Sequence, residues 1–148
     1  LFNSTTNSSS LDGMDMIFCR VSKKTNEVDF AGAQRPLFYF NAATGLTEFK
    51  GNKLAIGGAE YSMGDKSFVE TKVCYEKGDV IYLTTDGYYS QFGGPNDKMM
   101  LKKRMIEQFN QVGTQEMALQ NHQLRSFFQA WKGSEEQVDD VLVVGIKL

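Results

Sequence analysis

The stretch Gly78-Asp79-Val80-Ile81-Tyr82-Leu83-Thr84-Thr85-Asp86-Gly87 constrains this chain more than any other. Lys77-Gly78-Asp79 is a turn signal, and Val80 to Thr84 are strand-favouring residues. Their apolar side chains fall at consecutive positions, which predicts a strand covered on both faces. Such a strand delivers Asp86 and Gly87 at its mouth. There a carboxylate stands on a rigid element, and the glycine lets the backbone turn sharply or approach a ligand. A second carboxylate pair, Asp139-Asp140, opens a last strand expected over 140–147. In an extended strand adjacent residues point to opposite faces, so only one of the pair can share a site with Asp86. Two carboxylates in a small space need a cation between them, or one takes up a proton. Oxygen-only donors point to Mg2+ or Mn2+ rather than zinc. The competing reading makes these acidic strand ends ordinary turn residues.

The rest of the chain supplies a sheet and two helices for this strand to join. Met16 to Val21 and Glu27 to Ala31 read as a hairpin across Lys23-Lys24-Thr25-Asn26, with Val28 and Phe30 inward. Gly32 to Pro36 breaks the second strand. Leu37 to Phe40 and Leu46 to Phe49 are strands joined by a turn at Asn41 to Gly45, residues 51–66 are loop, and Phe68 to Cys74 is a strand. After Gly93-Gly94-Pro95-Asn96-Asp97 the period changes. Leu101, Met105 and Phe109 form one helical stripe ending at Gly113, and Thr114 is a candidate N-cap. Met117, Leu124, Phe128 and Trp131 form a second stripe, stopped by Gly133. Strands, then two helices, then a returning strand predict an α+β fold.

The 148 residues favour one domain, 14–148, behind a polar lead-in over 1–13 that is rich in Ser, Thr and Asn. A formal net charge of −2 gives no electrostatic case for nucleic acid or an anionic membrane. No apolar run is long enough to span a bilayer. Cys19 and Cys74 lack metal-ligand spacing and read as buried free thiols of a reducing, cytoplasmic compartment, with a disulfide as the lesser reading. Leu1 is not an initiator methionine, so a fragment is expected.

Other candidates carry less. His122, the one histidine, lies off the apolar stripe of its helix and reads as solvated. Asp12 and Asp15 read as a loop carboxylate and a strand-edge charge. Arg35 reads as a surface arginine or as a phosphate contact. Gly93-Gly94 lacks the lysine and spacing of a P-loop. Tyr88, Tyr89 and Phe92 read as packing around the turn after Asp86.

Taken in order, Asp12-Gly13-Met14-Asp15-Met16, Ala31-Gly32-Ala33-Gln34-Arg35-Pro36-Leu37, Ile56-Gly57, Gly78 to Gly87, Gln91-Phe92-Gly93-Gly94 and Gln137 to Val143 carry a resemblance. The chain from about Asp12 onward resembles the SpoIIE-like (stage II sporulation protein E) serine phosphatases, a bacterial branch of the metal-dependent, protein phosphatase 2C-like superfamily. The resemblance implies an αββα sandwich, here incomplete, with antiparallel sheets packed on two C-terminal helices. It also implies two Mn2+ or Mg2+ ions in a carboxylate-lined cleft, where metal-bound hydroxide attacks phosphoserine or phosphothreonine. Asp86 resembles the Asp of the family's Asp-Gly metal motif, and Asp139 the first residue of its C-terminal Asp-Asp motif. Gly87 would keep the turn open beside the metal, with Asp140 and Arg35 as secondary candidates. The family's front portion supplies the metal-bridging carboxylate and has no counterpart upstream of Asp12. Ser90 stands where many relatives are acidic, and Gln34-Arg35 replaces the commoner Asn-Asn or His-Pro.

Together these features imply the C-terminal part of a phosphatase domain, inactive in isolation. They also imply an upstream sensor module in a full-length protein that could be membrane-anchored, and a phosphoprotein substrate such as an anti-sigma-factor antagonist. An exposed sheet edge makes a homodimer a further expectation. The rival is a non-catalytic, phosphatase-like module that binds a partner.

Overall fold

The computed structural model describes residues 13–57 and 67–148. The lead-in lies outside these except for Gly13, and so does the 58–66 part of the expected loop. The described chain runs β1 (Met16–Ser22), β2 (Glu27–Ala33), β3 (Leu37–Asn41), β4 (Gly45–Phe49), β5 (Thr71–Cys74) and β6 (Val80–Thr84). A single-turn helix α1 (Gly87–Ser90) and a two-residue ribbon, β7 (Phe92–Gly93) with β8 (Lys98–Met99), follow. Then come α2 (Leu101–Val112), α3 (Met117–Lys132) and β9 (Val143–Lys147).

Two antiparallel sheets stack face to face. One has the order β1-β2-β5 and the other β4-β3-β6-β9. Between them Val28, Phe30, Val73, Leu37, Tyr39 and Ile81 form one buried core. On the far side of the four-stranded sheet, α2 and α3 cover a second core. Val80 and Tyr82 belong to the helix-side core and Ile81 to the inter-sheet core, which is why the strand needs apolar residues in succession. The Tyr82 ring stacks on Phe109 at 4.4 Å, and Phe38 meets Phe109 edge-on at 6.0 Å. The result is an α+β fold comprising three of the four layers of an αββα sandwich. The outer face of the three-stranded sheet has no helix over it among the described residues. Phe18 is exposed there, while Arg20 and Lys72 close over the buried carboxylate of Asp29. The Lys72 ammonium foremost, and the Arg20 guanidinium that hydrogen-bonds Oδ2, hold the Asp29 carboxyl below its ordinary pKa.

Several expectations are corrected. β2 continues through Gly32 to Ala33, and Gln34 at φ +60° makes the break. The strand expected from Phe68 begins only at Thr71, and the last begins at Val143 rather than 140. Leu101 is 57% exposed, because it starts α2 at φ +67° with its side chain out of phase; Met100 fills the core instead. Glu116, not Thr114, is the N-cap position of α3, and it makes no side-chain cap. Gln120 completes the α3 stripe as a buried polar residue: its Oε1 accepts from Tyr82 Oη at 2.6 Å, and its Nε2 donates to Gln115 O at 2.9 Å. Both thiols are free, but Cys74 is exposed and only Cys19 is partly buried, because Cys74 stands on the outer face beside Glu27.

Two outcomes test this packing. Phe109→Ala should cost about 3–5 kcal/mol in urea-induced unfolding, the usual penalty for truncating a fully buried aromatic. Burial pushes the Cys19 thiol up to about 11, so in a thiol-reagent time course Cys74 should be modified first and Cys19 only slowly.

Candidate active site

The β6–β9 register brings the two acidic motifs together. Thr84 lies opposite Val143 and Leu83 opposite Val144. One step further, Thr85 N donates to Leu142 O at 3.1 Å. Continuing the same antiparallel count places Gly87 against Asp140. A Cβ on Gly87 would lie 2.4 Å from the Asp140 carbonyl oxygen, so only glycine permits this approach. The Thr85 hydroxyl fastens the junction from both sides, donating to Asp140 O at 2.7 Å and accepting from Leu142 N at 2.9 Å. Neither Thr85 nor its role was read from the sequence, although its place between a buried strand and Asp-Gly is the available signal.

Gln91 positions the other side of the same junction. It is fully buried, its Nε2 donates to Glu136 O at 2.8 Å, and Trp131 Nε1 donates to its carbonyl at 3.1 Å. The segment leading to Asp139 is therefore tied to the end of α1. Asp139 and Asp140 themselves lie in a bend before β9, so the strand-alternation argument for them does not hold. Instead Asp139 Oδ1 accepts from Asp140 N at 2.7 Å, and Gln137 Nε2 donates to Asp139 O at 2.8 Å. Both aspartates are exposed.

Arg35 is not a free surface arginine. Its Nη1 lies 3.0 Å from Asp86 Oδ1 and its Nη2 lies 3.1 Å from Asp15 Oδ2. Partial burial works against its charge, but the Asp86 hydrogen bond and the two carboxylate charges more than offset that, so its pKa is raised. Asp15, read from sequence as a strand-edge charge, thus belongs to the site. The pairing of Met16 with Ala33 is what carries it there, since it sets the residue before β1 beside the one leaving β2. A cleft of about 310 Å3, lined by Asp15, Ile17, Arg35, Leu83, Leu142 and Val144, opens between the sheets beside this ion-paired group. His122 is exposed on α3.

The described residues do not by themselves fit a two-ion centre. Asp86 is already paired with a guanidinium, one Asp139 oxygen caps its neighbour's N–H, and no three His, Cys, Asp or Glu side chains converge among the described residues.

The family profile of stage II sporulation protein E (SpoIIE) matches residues 2–148. The chain belongs to the SpoIIE family. Among solved structures, the SiaA-PP2C domain of Pseudomonas aeruginosa matches with a TM-score of 0.81 at 23% identity, covering 90% of this chain and 51% of that one. The manganese-presoaked phosphatase domain of SpoIIE from Bacillus subtilis matches at 0.65 and 12% identity, over 90% and 56%. RsbX in complex with magnesium matches at 0.58 and 9% identity, over 90% and 55%. The chain therefore spans about half the length of these SpoIIE and PP2C-type relatives, and at such identities they establish its fold. No curated protein sequence matches it. No helix among the described residues is long and apolar enough to cross a membrane.

Gly87→Ala tests the junction. Alanine favours a helical start by up to about 1 kcal/mol, but the added methyl meets a backbone oxygen that cannot swing aside. A net loss of about 1–3 kcal/mol is expected in thermal unfolding.

Proposed function

We propose that residues 14–148 are the C-terminal part of a metal-dependent serine/threonine phosphatase domain, with Asp86 and Asp139 as two of its Mn2+ or Mg2+ ligands. The observation that carries this reading is the contact of Gly87 with the Asp139–Asp140 backbone, which sets both carboxylate motifs at one mouth. Membership of the SpoIIE family supports the phosphatase chemistry. The manganese and magnesium named for the B. subtilis domain and for RsbX support the choice of ion. When bound, such ions activate water and neutralise phosphoryl oxygens. In this reading Gly87 keeps the strand end close to the second motif, while Asp140 contributes its carbonyl to Thr85 rather than its carboxylate to an ion.

The donors at hand fall short of a complete centre, so the chain by itself is inactive in this reading. The substrate class is a protein carrying phosphoserine or phosphothreonine, an anti-sigma-factor antagonist being the kind the family implies. An upstream sensor, a cytoplasmic setting for the domain and self-association through the edge of β9, unpaired among the described residues, complete the proposal.

A calorimetric Mn2+ titration tests it. Weak, saturable binding is expected in the parent, with loss in both Asp86→Ala and Asp139→Ala and para-nitrophenyl phosphate hydrolysis near background. Binding that survives both substitutions would remove these residues as ligands. Strong metal-dependent turnover would overturn the claim of inactivity.

A further inference from the structure

Among the described residues β9 ends its sheet, and it lacks the devices that keep an exposed edge from pairing. It has no proline, no bulge against β6 and a single lysine at its last position. Its partner fixes the direction of its backbone groups. Thr85 N donates to Leu142 O and Leu148 N donates to Asp79 O, so the even-numbered residues turn theirs toward β6. By the alternation of an antiparallel ladder, Val143, Gly145 and Lys147 turn theirs outward. Apolar surface borders this edge on both faces. On the inter-sheet side Leu142 is 56% exposed, Val144 37% and Ile146 38%. On the helix side a groove of about 340 Å3 runs between β9 and α3, with Val143, Leu124 and Phe128 in its walls and no acidic residue in its lining. The two ends of the strand carry opposite charge. Asp139 and Asp140, both exposed, precede it, and Lys147 closes it with only the exposed Glu116, at 3.4 Å, as an ion-pair partner.

We propose that β9 pairs antiparallel with β9 of a second copy of this chain, about a two-fold axis at Val144, joining two four-stranded sheets into one of eight strands. The pairing rests on the self-association read above for this edge and is independent of any ion at the cleft mouth. A strand with unlike ends is complementary to an antiparallel copy of itself, which is what selects a second copy as the occupant. With Val144 opposite Val144, Val143 exchanges backbone hydrogen bonds with Gly145 of the other copy, and Lys147 reaches Val141. The same register lays Leu142 against Ile146, so each exposed apolar row covers the other. It also carries each Lys147 alongside Asp140 of the other copy. A register centred on Gly145 would set Lys147 against Val143, short of the acidic end. Gly145 itself has no side chain to hold the two backbones apart.

The test is sedimentation equilibrium of the whole chain over a dilution series, with circular dichroism as the check that each variant is native. The unaltered chain should dimerise reversibly. Val144→Lys sets two like charges together at the axis and should raise the dimer Kd roughly tenfold or more. Lys147→Glu should raise it roughly threefold, and adding Asp140→Lys should recover part of that loss. In a Cys74→Ser background, Val144→Cys should yield a disulfide-linked dimer under mild oxidation and Ile146→Cys should not; the reverse pattern would overturn the register. A dimer that Val144→Lys leaves intact would place self-association on another surface and overturn the edge pairing alone. A monomer at every concentration would remove self-association as well. In that case slow exchange of the Val143 and Gly145 amide hydrogens would mean that the chain covers its own edge, and fast exchange that the edge is open to a foreign strand. Should Val144→Lys fail to fold, the unaltered protein decides: these amides must exchange more slowly as its concentration rises, and rates that do not change would overturn the pairing.

Discussion

The meeting of the two acidic motifs follows from the pairing of β6 with β9. The register sets Thr84 against Val143, and its continuation past the strand ends brings Asp86-Gly87 to Asp139-Asp140. Slipping that register by one residue would turn Ile81 toward the helices and Val80 toward the other sheet, exchanging the contents of two cores at once. Burial of β6 on both faces therefore fixes the register, and the register fixes which carboxylates meet. The site is a by-product of core packing, sharpened by Thr85 and Gln91, which convert an approximate meeting into a hydrogen-bonded junction.

Charge compensation is the second constraint. Asp15, Arg35 and Asp86 are brought together by the two sheets, since Asp15 and Arg35 flank the strands of one and Asp86 leaves the other. As an isolated part-exposed network it adds little to global stability, typically under about 1 kcal/mol per pair. Its consequence is local: it orients the Asp86 carboxylate and keeps the mouth of the inter-sheet cleft close to neutral. The close approaches of Gly32 and Gly51 to the Arg35 carbonyl oxygen fix the backbone from which the guanidinium reaches both carboxylates.

Local signals made most of the fold legible. The run Val80–Thr84 announced a doubly covered strand, both early hairpins carried their turn residues, and the stripe from Met117 to Phe128 marked a helical face. Boundaries failed where tertiary contacts decide. Leu101 fits a helical stripe on paper but begins its helix in a left-handed conformation, so Met100 takes the core position. Gln120 looks like a break in an apolar face, yet it is the residue that satisfies Tyr82. At the site, Asp86 and Asp139 stood out because acidic residues beside buried strands are conspicuous. Arg35 is legible only as a secondary candidate and Asp15 only as a strand-edge charge, because their meeting depends on cross-strand register and on how two sheets stack, which no local pattern encodes.

Stability and site completeness are separable in this architecture. Both cores close around residues of the described chain, and Tyr82, Phe109, Phe30 and Ile81 are all shielded. Yet β9, at the end of its sheet, has Val144 and Ile146 opposite Leu83 and Ile81, on the inter-sheet side, and still leaves them 37% and 38% exposed. Among the described residues the facing sheet has three strands, one fewer than the sheet that β9 ends. The uncovered strip runs from Ile146 through Val144 to Leu142, into the cleft beside Arg35. Exposed apolar surface at the edge of the sheet and the Asp15–Arg35–Asp86 ion pairs at the cleft mouth thus lie along one line. Anything laid on that strip would reach the cleft that Asp15 and Arg35 line, and through Arg35 would bear on the orientation of Asp86.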